Sequence, residues 1–114
     1  MGQSTLRIGN VELMALIDCE VKAPTSMLFP PLTKASWEPY CQFLADDCTN
    51  IQLTIPSFVL RAGGKTVLID SGVGAKNRAL LPNGRLPEAL GEAGVRPDEI
   101  DIVFATHIHI DHVG

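Results

Sequence analysis

Runs of basic residues, internal repeats, long apolar stretches and Cys-x-x-Cys motifs are all missing from this chain, and each absence argues against a class of function. Nine Lys and Arg stand against thirteen Asp and Glu in 114 residues. The basic residues, among them Lys22, Lys34, Arg61, Lys65, Lys76, Arg78, Arg85 and Arg96, are scattered, so no stripe exists to track a phosphate backbone. Nothing approaches the roughly 20 consecutive apolar residues that a membrane helix needs. The start, Met1-Gly2-Gln3-Ser4-Thr5, has neither the basic nor the apolar region of a signal peptide. Cys19, Cys41 and Cys48 are odd in number and lack Cys-x-x-Cys spacing, which predicts reduced thiols in a reducing compartment rather than a disulfide framework. The expectation is a cytoplasmic protein with no nucleic-acid and no membrane partner.

Apolar residues make up 46% of the chain, enough to build one core at this length. Residues 6–8 and 11–17 read as strands around Gly9-Asn10, a dipeptide that tolerates positive φ and favours a tight hairpin. Residues 23–50 contain Pro24, Pro30, Pro31 and Pro39 and read as a long connection with a short helix over 37–44. Its Met27, Leu28, Phe29 and Trp37 are apolar enough to line a pocket, and equally suited to cover a sheet edge or a subunit contact. Residues 51–61 and 66–69 form a second strand pair around Ala62-Gly63-Gly64-Lys65. Pro56 removes a ladder donor there and predicts an edge, a bulge or a strand start at Ser57. Residues 73–84 are loop-like. Pro87 fits the first position of a helix that ends at Gly94, with Leu86, Leu90 and Ala93 on one face. Residues 101–105 read as a short buried strand.

Every histidine lies just after that strand, in His107, Ile108, His109, Ile110, Asp111 and His112. Imidazole nitrogens and a carboxylate are donors that Zn²⁺ prefers. If the strand's alternation continues, His107, His109 and Asp111 point one way while Ile108 and Ile110 pack the other way. His112 breaks the alternation, so it is expected where the strand turns into a loop or helix. The grouping suits two ions, with His107 and His109 on one and Asp111 and His112 on its neighbour. A water between two ions about 3.5–4 Å apart becomes a nucleophile at neutral pH. The bland reading is a solvated strand end, but three histidines and an aspartate within six positions favour a site. Asp70 ends the other apolar strand, and Gly72 permits a sharp turn after it; an aspartate there also commonly closes a turn on its own backbone.

Thr106-His107-x-His109-x-Asp111-His112-Val113-Gly114 resembles the metal motif of the metallo-β-lactamase superfamily. Val67-Leu68-Ile69-Asp70-Ser71-Gly72 resembles the strand and aspartate turn upstream of it, and the resemblance covers roughly residues 51–114. In style it is nearer to lactonase-like and organophosphate-hydrolase-like members than to antibiotic-degrading ones. It implies an α/β (α+β) fold, the first half of an αββα sandwich, mostly sheet with one packed helix. It also implies a hydrolase with Zn²⁺, two per complete site, bound by His107, His109, Asp111 and His112. Asp111 would in addition assist proton transfer, and Asp70 would hydrogen-bond a ligand imidazole from behind. The remaining ligands would come from sequence beyond this chain, which reads as an N-terminal fragment of a single domain, inactive alone, with an open apolar face prone to aggregation. The partner expected is a small-molecule substrate (a lactone, ester, thioester, phosphotriester or β-lactam), with a homodimer of the full-length parent admitted. Rival readings are an iron-dependent sulfur dioxygenase and an inert half-domain. The di-iron flavoprotein pattern carries glutamate where this chain has His109.

Overall fold

The computed structural model describes residues 4–75 and 81–114. Residues 76–80 of the loop read from sequence, with Lys76 and Arg78, lie outside the described residues, as do Met1, Gly2 and Gln3. Five strands form one sheet in the order β1-β2-β3-β4-β5: β1 (Ser4–Ile8), β2 (Val11–Pro24), β3 (Asn50–Ala62), β4 (Lys65–Ile69) and β5 (Ile102–Phe104). The fold is α/β and dominated by sheet, as expected. The chain divides into two compact units, residues 1–19 with 55–114, and residues 20–54.

Turn chemistry sets both hairpins of the first unit. Ile8 pairs with Val11, and Gly9 takes a φ of 59° as the first central residue, which suits a type II′ turn. Ala62 pairs with Lys65, and Gly63 and Gly64 both have positive φ, the requirement of a type I′ turn. Pairing of β3 with β4 begins at Phe58. Pro56 therefore lies before that ladder, and β3 runs through it without a break.

Alternation along the strands builds the core. Met14 and Leu16 of β2, Val59 of β3 and Leu68 of β4 pack with Leu86, Ala89 and Leu90 of α3 (Leu86–Glu92) and with Val95. Helix α3 starts one residue earlier than Pro87 implied. The Leu86 N–H, an orphan donor of the first turn, is accepted by the Asp18 carboxylate at 2.8 Å, so the helix begins where that acceptor stands.

Strand β5 departs from the expected buried strand. Ile102, Val103 and Phe104 are about half exposed or more, and Ile108 is 85% exposed while Ile110 is 43%. The last two do not anchor the motif by apolar packing. Among the described residues β5 pairs with β4 and has no second sheet neighbour, and the extended segment ends at Phe104, so alternation does not carry to residue 110.

The second unit holds two short helices, α1 (Thr25–Leu28) and α2 (Lys34–Trp37), followed by a 3₁₀ segment over Glu38–Phe43. The single helix expected over 37–44 is replaced by that tighter segment, with Pro39 in its first turn. Phe29 and Trp37 meet edge to face with centroids 5.4 Å apart. The expectation of three reduced thiols is overturned. Cys41 and Cys48 form a disulfide with Cα atoms 4.8 Å apart, because Asp46, Asp47 and Cys48 all adopt left-handed backbone and curl the chain back. Odd counting could not show this, since one cysteine, Cys19, stays free and buried. The cytoplasmic expectation leaned on reduced cysteines and loses that support. Denatured without reductant, the chain should expose one thiol to a labelling reagent, and three after reduction. Three thiols before reduction would show the bridge to be absent.

Candidate metal centre

Strands β4 and β5 run parallel, with Ile69 opposite Phe104. Parallel neighbours end at the same sheet edge, so Asp70 and the segment after Phe104 emerge together, where ligands of α/β sheets commonly bind. The Asp70 N–H donates to the Phe104 carbonyl at 2.8 Å. Asp70 then takes a φ of 62°, a region that non-glycine residues rarely enter and that aspartate tolerates better than most. That turn redirects the chain so that it zips to the motif. The Ser71 N–H donates to the His112 carbonyl at 3.0 Å, and the Gly114 N–H to the Gly72 carbonyl at 2.8 Å. Within the motif, the His112 N–H donates to the His109 carbonyl at 2.9 Å, closing the turn that brings His112 back toward His107.

Asp70 is the centre of a hydrogen-bond network. Its Oδ1 accepts from the Thr106 N–H at 2.8 Å and lies 3.0 Å from the Thr106 hydroxyl, which is 2.9 Å from Oδ2. Oδ2 also lies 2.7 Å from His112 Nδ1. Burial of this carboxyl would raise its pKa. The Thr106 amide, the His112 imidazole and the Thr106 hydroxyl outweigh that effect and hold it below the usual carboxylate range. Asp70 is thus an acceptor only, and His112 Nδ1 is the donor toward it. A neutral His112 then carries its lone pair on Nε2.

That lone pair faces another acceptor: His112 Nε2 and Asp111 Oδ2 are 3.3 Å apart. Two acceptors at this distance call for a cation between them, a proton or a metal ion. Donors about 2.0–2.2 Å from one tetrahedral ion stand about 3.4 Å apart, so this pair fits two ligands of one ion. The ring of His107 lies 3.9 Å from that of His112 and 4.7 Å from that of His109, centroid to centroid. The structure therefore brings all four predicted ligands and Asp70 into one cluster. His112 joins it through a turn, as its break from the strand alternation implied. Among the described residues, no group of three His, Cys, Asp or Glu side chains is already posed to share one ion.

Two residues of this edge escaped the sequence reading. Asp18 is fully buried. Its Oδ2 accepts from the Val73 N–H and its Oδ1 from the Leu86 N–H, both at 2.8 Å, and its carbonyl accepts from the Arg85 N–H at 2.9 Å. It ties the turn after Asp70 to the start of α3. A Cβ at Gly72 or Gly84 would collide with its carboxylate. The signal in the sequence was a charged residue on the inward side of an apolar strand, in register with Met14 and Leu16. The other is Cys19, whose thiol is pushed up by burial, with the Asp18 and Asp111 carboxylates adding to the effect.

The sequence pattern of the metallo-beta-lactamase superfamily matches residues 52–114, more than half of the chain. The chain belongs to this superfamily. Among curated metallo-beta-lactamase relatives, ribonuclease Z of Mycolicibacterium gilvum (strain PYR-GCK) is 36% identical over 58 residues, which are 51% of this chain and 16% of the relative. Among solved structures, AidC, a dizinc quorum-quenching lactonase, matches with a TM-score of 0.79 at 25% identity, over 97% of this chain and 37% of its own. The hydrolase AbOPH matches with a TM-score of 0.81 at 28% identity, over 97% and 38%. A probable metal-dependent hydrolase from Staphylococcus aureus, at 22% identity and a TM-score of 0.73 over 94% and 41%, supports the fold alone. The chain thus spans well under half the length of each relative.

Proposed function

We propose that the full-length protein is a metal-dependent hydrolase acting on a carbonyl or phosphoryl centre of a small molecule, a lactone, ester, thioester or phosphotriester. The observation that carries this reading is the pair His112 Nε2 and Asp111 Oδ2, two acceptors held 3.3 Å apart by a buried carboxylate behind the imidazole. Zinc suits this set, since nitrogen and carboxylate oxygen are its usual donors. His107, His109, Asp111 and His112 would hold it, two ions per complete site, with the other ligands supplied by sequence beyond this chain. When bound there, zinc would supply a lowered pKa for water, toward about 7, and polarisation of the bond under attack.

The chain's own residues orient and tune. Asp70 fixes the His112 ring and its tautomer, which raises the basicity of the donor nitrogen. Asp111 stands at the open edge with one carboxylate oxygen on His112, and proton transfer to the leaving group is assigned to it as a second role. Similarity to the lactonase and to AbOPH over nearly the whole chain supports a small-molecule substrate. The scatter of basic residues weighs against an RNA substrate despite the match to ribonuclease Z. A homodimer of the full-length protein belongs to the same proposal.

Metal analysis of the purified full-length protein, paired with lactone and phosphotriester turnover, tests the reading. About two equivalents of zinc with hydrolysis is the expected result. Iron with oxygen consumption and no hydrolysis would replace it with a sulfur dioxygenase.

A further inference from the structure

Thr106 lies between the buried carboxylate and the first histidine of the motif. Its hydroxyl has one proton to donate and lone pairs to accept with. The hydroxyl oxygen is 2.9 Å from Asp70 Oδ2, 3.0 Å from Asp70 Oδ1 and 2.9 Å from His107 Nδ1. An ionised Asp70 can only accept, so the hydroxyl proton goes to it. The oxygen is then left to accept from His107, which requires the proton on Nδ1. A neutral imidazole has one N–H, and the lone pair therefore falls on Nε2.

From this geometry we infer that Thr106 is a positioning residue: relaying the Asp70 carboxylate, its hydroxyl sets His107 in the Nδ1–H tautomer and makes Nε2 the donor atom. One buried aspartate thereby orients two imidazoles, His112 directly and His107 through a hydroxyl 36 residues away in sequence. The ring of His109 has no such anchor among the described residues, where its recorded neighbour is the His107 ring. The arrangement also opposes the intrinsic preference of a free imidazole, which favours the proton on Nε2. The consequence for metal affinity rests on the proposed hydrolase site; the tautomer itself does not.

The test uses the full-length protein, metal-free, with ¹⁵N-labelled histidine, at a pH where the imidazoles are neutral. Long-range ¹H–¹⁵N correlation should report Nδ1–H for His107 in the wild type and in Thr106→Ser. Thr106→Val keeps the branched shape and the backbone N–H that donates to Asp70 at 2.8 Å, and should shift His107 toward Nε2–H. Zinc affinity, measured by chelator competition, should fall about 10–100-fold in Thr106→Val, the usual effect of losing such a supporting group, and recover in Thr106→Ser. A wild-type His107 protonated on Nε2 overturns the inference whether or not any variant folds, as does a Thr106→Val protein with unchanged tautomer and zinc affinity. A wild type that binds no zinc yet shows Nδ1–H upholds the tautomer assignment and refutes the hydrolase reading instead.

Discussion

Replacing both His107 and His109 by alanine in the full-length protein is expected to remove most of the bound metal and to lower hydrolysis by about 10³-fold or more. The magnitude follows from the nucleophile. Water on a metal would ionise near neutrality, whereas free water supplies almost no hydroxide. Compared with metal stripped from both proteins, stability should barely change, because both residues are exposed in the described structure and substitutions at such sites usually stay within about 0.5 kcal/mol, whereas bound metal would itself stabilise the wild type. That combination separates a metal role from a structural one. Metal content by atomic emission on the purified proteins, and urea unfolding curves after chelation of both, provide the check. Full metal content in the double variant would end the assignment of these residues as ligands.

Asp18→Ala is expected to have the opposite profile, a large loss of stability from a residue that touches no proposed ligand by hydrogen bond. Two buried N–H groups, of Val73 and Leu86, would lose their acceptor. Each unsatisfied donor costs about 1–3 kcal/mol, so the sum is about 2–6 kcal/mol. Asp18→Asn keeps one acceptor oxygen and should fall between the wild type and alanine. Equilibrium unfolding of the three proteins tests the ordering, and an alanine variant as stable as wild type would show that the turn after Asp70 and the start of α3 do not need this staple. The glycines report the same constraint from the other side. Gly72 has a φ of 70°, and a Cβ there would land on the Asp18 carboxylate.

Hairpin ends were legible because glycine pairs encode positive φ locally, as at Gly63 and Gly64. The helix was legible from Leu86 and Leu90, although its first residue was not, since Asp18 accepts its N–H from 68 residues away. The cysteines were misread for a related reason: whether Cys41 meets Cys48 depends on a left-handed turn that composition does not announce. Exposure of β5 was misread as well. An Ile-Val-Phe run has the same sequence whether or not it is covered, and among the described residues only β4 lies beside it.

Donor chemistry at the sheet edge was determined by the sequence itself: three imidazoles and a carboxylate within six residues, after a strand, restrict what that segment can bind. Tertiary structure decided how those donors are held. Parallel pairing of β4 with β5 places Asp70 behind Thr106 and His112, and a backbone hydrogen bond from His112 to His109 closes the turn at which His112 was expected. A tautomer is set by whichever group hydrogen-bonds the far nitrogen: for His112 that is Asp70, 42 residues away, and for His107 it is the adjacent Thr106, whose hydroxyl is in turn held by Asp70 from 36 residues away.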